Sequence, residues 1–290
     1  MRYLSLPSIL PALFMCFCCT PKPTQPDFNS TNGLPYDLQK PALTILFDSD
    51  ELKEISGIGP TEVPGQYLAI ADERGAFFFV DATHHGAITQ RVIFREKGDF
   101  EGAEMANNIL WALKSDGKLF EVSNWNNNPP TVTEYPTPIE KKDDAEGLGY
   151  DAGRQALLIA CKGNPDSPAL KSIFAFNLKT KQLDPKPLYT MDPFEVNKLV
   201  PYNETEKHDF FSPSGVAVHP LTGDVYVVSA ALKRLVVLEK NSGKIRYANR
   251  LDKTILPQPE GISFDKEGNL LISSEGKKGA GILMKFIYMP

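Results

Sequence analysis

Three glutamates stand directly before glycines at the head of apolar stretches: Glu101 in FEGAEMA, Glu146 in AEGLGYD and Glu260 in PEGISFD. Serine takes the same place in two looser copies, Ser56 in ISGIGPT and Ser214 in PSGVAVH. Glutamate is a poor strand former, and a charge among buried apolar residues is normally excluded. Carboxylates brought to one point repel each other unless something offsets their charge. Calcium can do so, because it takes about six to eight oxygens from carboxylates, carbonyls and water. Glu101, Glu146 and Glu260 are therefore candidate calcium ligands, with Asp143, Asp144 and Glu275 as a second tier. Two other roles suit the same carboxylates. Each could accept backbone N–H groups of a neighbouring element and lock it in place, or each could face a substrate.

The elements that position them follow from the spacing. Gly57, Gly102, Gly147, Gly215 and Gly261 are separated by 45, 45, 68 and 46 residues. A period near 45 is that of a propeller blade. Each unit runs from the glycine phrase through a polar turn to a continuous apolar stretch: YLAIA, ILWAL, ALLIA, VYVVS and LLISS. Such runs suit strands buried on both faces. A third strand and a more polar fourth complete the first four units. The fifth unit lacks an outer strand, and ALTILFD at 42–48 can supply it, closing the ring. The reading is an all-β protein, a β-propeller of four-stranded blades over 42–290. Five blades are favoured, or six if the long step, about 192–213, hides a degenerate one.

In a propeller the first strand of each blade lies innermost. The residues before the five glycines should then ring the channel mouth, with the glycines letting the inner strands approach closely. The turns between second and third strands open on the same face. They add Asp72, Glu73, Arg74, Lys114 and Lys162 to the expected binding mouth of Ser56 and Ser214, and Lys114 and Lys162 could pair with the glutamates. The insertion adds Glu195, Glu204, Glu206, His208 and Asp209. His219, at the far end of an inner strand, should face the opposite side. No Gly-x-Ser-x-Gly elbow, His-Glu-x-x-His pair or phosphate loop is present.

The first 19 residues have the form of an export signal: Arg2, then LSLPSILPALFMCF, then a cluster of cysteines. Cys19 is the candidate lipidation site, with Cys16 and Cys18 as alternatives. The Pro-rich residues 20–41 should form a tether between membrane and propeller. Cys161 is the only cysteine outside the signal, and its apolar setting points to a buried, unreactive thiol. The net charge of −5, without a basic cluster, argues against nucleic acid as a partner.

The phrases EGLGYD, PSGVAVHPLTGDVYVVS and PEGISFDKEGNLLISSE, with YLAIADERGAFFFVD, resemble the SdiA-regulated family of bacterial envelope propellers. The resemblance implies a calcium-associated propeller with no established reaction. The chain is more distantly similar to phytase-like and gluconolactonase-like propellers. In the lactonase type the first-blade Glu-Gly glutamate binds the metal. Here blade 1 has Ser56 instead, and no Asn-Asp-Gly phrase follows in a middle blade. Three functions are consistent with these residues. The first is a membrane-anchored envelope lipoprotein, periplasmic or surface-exposed, that binds a small molecule or protein at its acidic mouth. The second is a calcium-dependent hydrolase of phosphoesters, esters or lactones. The third is a purely structural propeller.

Overall fold

The computed structural model describes residues 33–201, 206–276 and 279–290. The signal segment with Cys19, most of the expected tether, and Glu204 lie outside the described residues. Each repeat forms an antiparallel sheet, and the five sheets stand around one axis. The first strands are Ile55–Pro60, Phe100–Ala106, Ala145–Asp151, Gly215–Val218 and Pro259–Phe264. Each packs on the first strand of the next blade, and the fifth returns to the first.

The apolar second strands are deeply buried. Ala156–Cys161, Val225–Ser229 and Leu270–Ser274 are buried along their whole length. Both faces of each sheet are covered by neighbouring blades, so strict apolar–polar alternation is not needed. Between blades 1 and 2, Phe77, Phe79, Phe100 and Phe120 fill the gap. The outer strand Ala87–Arg95 alternates instead. In blade 3 the outer edge is split into Gln182–Leu183 and Tyr189–Met191, both paired with Lys171–Asn177.

The ring closes as the pattern predicts. Leu43–Leu46 pairs antiparallel with Ile282–Phe286, Leu43 opposite Lys285 and Leu46 opposite Ile282. The first and last parts of the chain thus share blade 5.

Two boundaries differ from the sequence reading. The tether expected to run to residue 41 stops short, because Leu34, Tyr36 and Leu38 are buried against blades 4 and 5. Tyr36 donates its hydroxyl hydrogen to the Gly268 carbonyl at 2.6 Å. The physical reason is that these three residues are apolar: the chain bends and turns through 35–40 and lays each of them on the core of blades 4 and 5. The insertion is not a sixth blade. Asp192 caps a helix, Pro193–Leu199, by accepting the Phe194 N–H at 2.9 Å. Val196, Val200 and Phe211 then sink into the core shared by blades 3 and 4. Glu206 joins it to blade 4 through Arg234 at 2.8 Å and Arg250 at 2.9 Å.

Candidate functional site at the carboxylate mouth

The Glu-Gly phrase has a backbone cause that spacing alone does not reveal. In blade 2, Phe100 lies opposite Lys114 and Gly102 opposite Leu113, which leaves Glu101 as an extra residue. The same register shift sets Ser56 and Glu146 apart, and Glu260 with Gly261 spans the corresponding step in blade 5. Each is a β-bulge, which bends the strand and re-aims one side chain. In blade 4 the Ser214 N–H donates to the Val228 carbonyl at 2.8 Å, and Gly215 also lies opposite Val228. The bulges turn all five residues toward the axis, where Ser56, Glu101, Glu146, Ser214 and Glu260 line one small space.

The glycines perform the expected close approach. A Cβ on Gly102 would lie 2.5 Å from the Leu148 Cβ, and one on Gly215 would lie 2.4 Å from the Glu260 carbonyl oxygen. Both contacts are with the following blade. Any side chain there would force the inner strands apart.

The three glutamates therefore converge, and they do so with little solvent. Burial first, then the neighbouring Glu146, Asp99 and Glu260, push the Glu101 carboxyl up to about 9. Burial, then Glu146, raises Glu260 to about 8. Glu146 is different because Lys162 Nζ lies 2.9 Å from its Oε1. Burial still raises Glu146 while Lys162 pulls the other way. For Lys162, burial favours the neutral amine, but Glu146 and Glu260 outweigh it and keep the ammonium. Lys162 is held from behind, its carbonyl accepting the Ser212 hydroxyl of the insertion at 3.0 Å.

The remaining mouth residues sort by partner. Ser214 Oγ donates to the Pro259 carbonyl at 2.8 Å and accepts the Ala230 N–H at 3.1 Å, bridging blades 4 and 5. Ser56 is buried, its hydroxyl 3.4 Å from the Glu54 carbonyl. Burial and nearby carboxylates raise Asp72 and Glu275. Glu73 is exposed. Lys114 pairs with Asp116 of its own turn at 3.0 Å, and Arg74 lies 3.9 Å from Glu96. Asp143 is used locally, accepting the Glu140 N–H at 2.9 Å. Asp144 stays close enough to act electrostatically on Glu146 and Lys162.

Of the insertion's acids, Glu206 serves the two arginines and Glu195 pairs with Lys198 at 2.5 Å. His208 meets Asp166 at 2.9 Å. His219 lies on the opposite side as expected, its Nδ1 accepting the Leu221 and Thr222 N–H groups. Cys161 is buried, and burial lifts its thiol to about 12.

Two groups were missed in the sequence. Asp99 adds charge next to the ring. Glu104, two residues beyond Gly102, makes the blade-to-blade bond that was expected of the Glu-Gly residues. Its Oε2 accepts the Tyr150 N–H of blade 3 at 3.0 Å. Its signal was visible: the other four repeats have Gly59, Gly149, Ala217 and Ser263 at that place.

Calcium can be tested against this geometry. The donors are of the right kind, and Glu260 Oε2 is buried without a hydrogen-bond partner. The spacing is not right. Among the described residues no three His, Cys, Asp or Glu side chains are placed to hold a metal ion. The axial space is about 10 Å³, and Lys162 supplies the positive charge. As arranged, the ring does not fit a calcium ion, and its counter-charge is an ammonium.

Solved structures with the same fold include a calcium-binding regucalcin from Agrobacterium tumefaciens, at TM-score 0.52 and 12% identity, covering 86% of this chain and 97% of that one. A PQQ-bound aldose sugar dehydrogenase from Streptomyces coelicolor aligns at TM-score 0.51 and 13% identity, covering 85% and 97%. Glutaminyl cyclase from Myxococcus xanthus aligns at 0.52 and 12%, covering 86% and 95%. At such identities the likeness concerns the fold alone. No curated protein matches the chain in sequence. The sequence profile of the SdiA-regulated family matches residues 48–278, nearly the whole propeller, and the chain belongs to that family.

Proposed function

We propose that the chain is a lipid-anchored binding propeller of the bacterial envelope, and that its carboxylate mouth recognises a cationic ligand. The observation that carries this reading is the Glu260 carboxyl, buried on the axis with the Gln258 side chain reaching it and its Oε2 left without a hydrogen bond. A buried carboxylate oxygen left unpaired is costly. Glu101, Glu146 and Glu260 line that space, and the Lys162 ammonium pairs with Glu146; Glu101 and Glu260, pushed up to about 9 and about 8, keep their protons near neutral pH and can give them up to an arriving cation. Lys162 is the resident cation, and a ligand enters by competing with it. Calcium, which does not fit the ring as arranged, enters this reading only where Lys162 has been removed. Ser214 has both hydroxyl functions committed to backbone groups, which supports recognition rather than nucleophilic chemistry at this face.

The test is a calcium titration of thermal stability on the wild type and on Lys162→Met. A ligand that binds only the folded state stabilises it by about 2.7 kcal/mol at a hundredfold excess over Kd. The wild type should not respond to calcium and Lys162→Met should, with chelation reversing the response. If neither protein responds to calcium or to a lysine-rich peptide, the mouth is an architectural lock. Anchoring is tested separately. Cys19→Ser should move the protein from the detergent phase to the aqueous phase, and unchanged partitioning without detectable lipid would rule the anchor out.

A further inference from the structure

A broad cavity lies at the other end of the axis. It holds about 780 Å³ and is walled by the turns between first and second strands of all five blades. That volume is within the range of about 300–1,000 Å³ typical of small-molecule sites. Its wall is partly apolar, through Met105 and Phe264, and partly a side-chain network. Asn107 Nδ2 donates to Gln155 Oε1 at 3.1 Å, and Gln155 Nε2 donates to the Tyr150 hydroxyl at 2.7 Å.

The floor carries Glu104. This side chain is 5% exposed and accepts the Met105 N–H at 3.1 Å and the Tyr150 N–H at 3.0 Å. It makes no ion pair among the described residues. Four of the five blades place Gly59, Gly149, Ala217 or Ser263 at this position, so closing the ring does not call for an acid. Ionised, Glu104 is a buried charge without a counter-ion. Protonated, it has a hydroxyl hydrogen to donate. Burial favours the second state and raises its carboxyl to about 8.

Other charges around the basin cancel in pairs. Glu62 meets Lys266 at 2.7 Å, Asp151 meets Arg154 at 2.8 Å, and Asp265 meets Lys285 at 2.7 Å. Lys240, exposed at the lip, makes no ion pair among the described residues. The basin is left with one acid at its floor and one ammonium at its lip.

We infer that this basin binds a short unmodified peptide, with its N-terminal ammonium on Glu104 and its C-terminal carboxylate on Lys240. Buried charge pairs of this kind make the inner contact the stronger one, and the exposed lip contact the weaker. Seating the ammonium draws the proton from Glu104, so binding releases that proton to solvent.

Trialanine, its N-acetyl form and its C-terminal amide serve as probes, titrated calorimetrically into the full chain in buffers of different ionisation enthalpy. Trialanine should bind, with a heat that depends on the buffer. N-acetylation should weaken binding by about tenfold or more, and amidation by less. Glu104→Gln should abolish both the buffer dependence and the preference for a free amine. Lys240→Ala should remove the preference for a free carboxylate. Should Glu104→Gln fail to fold, the acetylated probe on the wild type still decides. No heat with millimolar trialanine, or equal affinity for trialanine and its N-acetyl form, overturns the proposal.

Discussion

The two ends of the propeller axis handle acid in opposite ways. At the mouth, bulges drive Glu101, Glu146 and Glu260 into a space of about 10 Å³, and Lys162 is drawn in to neutralise part of the charge. At the basin, the one carboxyl without an ion pair among the described residues, Glu104, sits beneath about 780 Å³ of open space. The mouth is made by what the repeats have in common. The basin's chemistry comes from a place where one repeat departs from the other four, Glu104. In a repeat protein, conserved grammar builds the frame, and a local exception carries specific chemistry.

The comparison can be broken most sharply at Lys162. Removing one partner from a buried charge cluster is costly, so Lys162→Met should lower unfolding free energy by about 3 kcal/mol near neutral pH. Denaturant unfolding measures this. Near pH 5 the loss should shrink as the carboxylates take up protons. Lys240→Met, at the exposed lip of the basin, should change stability by less than about 0.5 kcal/mol. Equal costs at both ends would erase the distinction.

The pH profile sharpens it next. Glu101, Glu260 and Glu104 all titrate above the ordinary carboxylate range in the folded protein. The folded state therefore holds more protons than the unfolded one between about pH 5 and pH 8. Their contribution to stability is complete at the acid end and is lost as pH rises through that window. The thermal midpoint should fall from about pH 5 to about pH 8. Glu260→Gln and Glu104→Gln should each flatten the fall and raise the midpoint at the alkaline end, by roughly 3 °C per kcal/mol recovered. Glu146→Gln should act in the opposite direction and lower the midpoint, because it deprives Lys162 of its partner. A midpoint that rises with pH, or three glutamines acting alike, would contradict the assignment of charges.

The smallest expected effect is at Ser214. Ser214→Ala removes one hydroxyl bridge between blades 4 and 5 and should cost about 1 kcal/mol. It should leave the calcium response of Lys162→Met and the peptide binding of the wild type as they are. Loss of either would mean that the hydroxyl faces a ligand.

Much of the frame was legible because it is periodic. The glycine spacing identified the blades, and the absence of an outer strand in the fifth unit pointed to residues 42–48. The bulges were not legible, since a register shift is decided by hydrogen bonds between strands that local sequence does not encode. Lys162 was legible as a partner of the glutamates because its turn opens on their face, and it meets Glu146 at 2.9 Å; Lys114, placed alike by the pattern, pairs with Asp116 of its own turn instead. Glu104 and the buried Leu34, Tyr36 and Leu38 were readable in principle. The first needed a comparison of the repeats two residues beyond each glycine, and the second notice of apolar residues within a proline-rich stretch.

Pairing Leu43–Leu46 with Ile282–Phe286 also orders events in time. The strand synthesised first must wait for the strand synthesised last, and until then blade 5 has an open edge. Contacts between distant parts of a chain form slowly because a long loop must close first. Blades 1 to 4 can form as local meanders while the ends are still apart. Closing the circle is then a final, cooperative step, and a chain stopped short of its last strand retains an exposed edge that invites association with other chains.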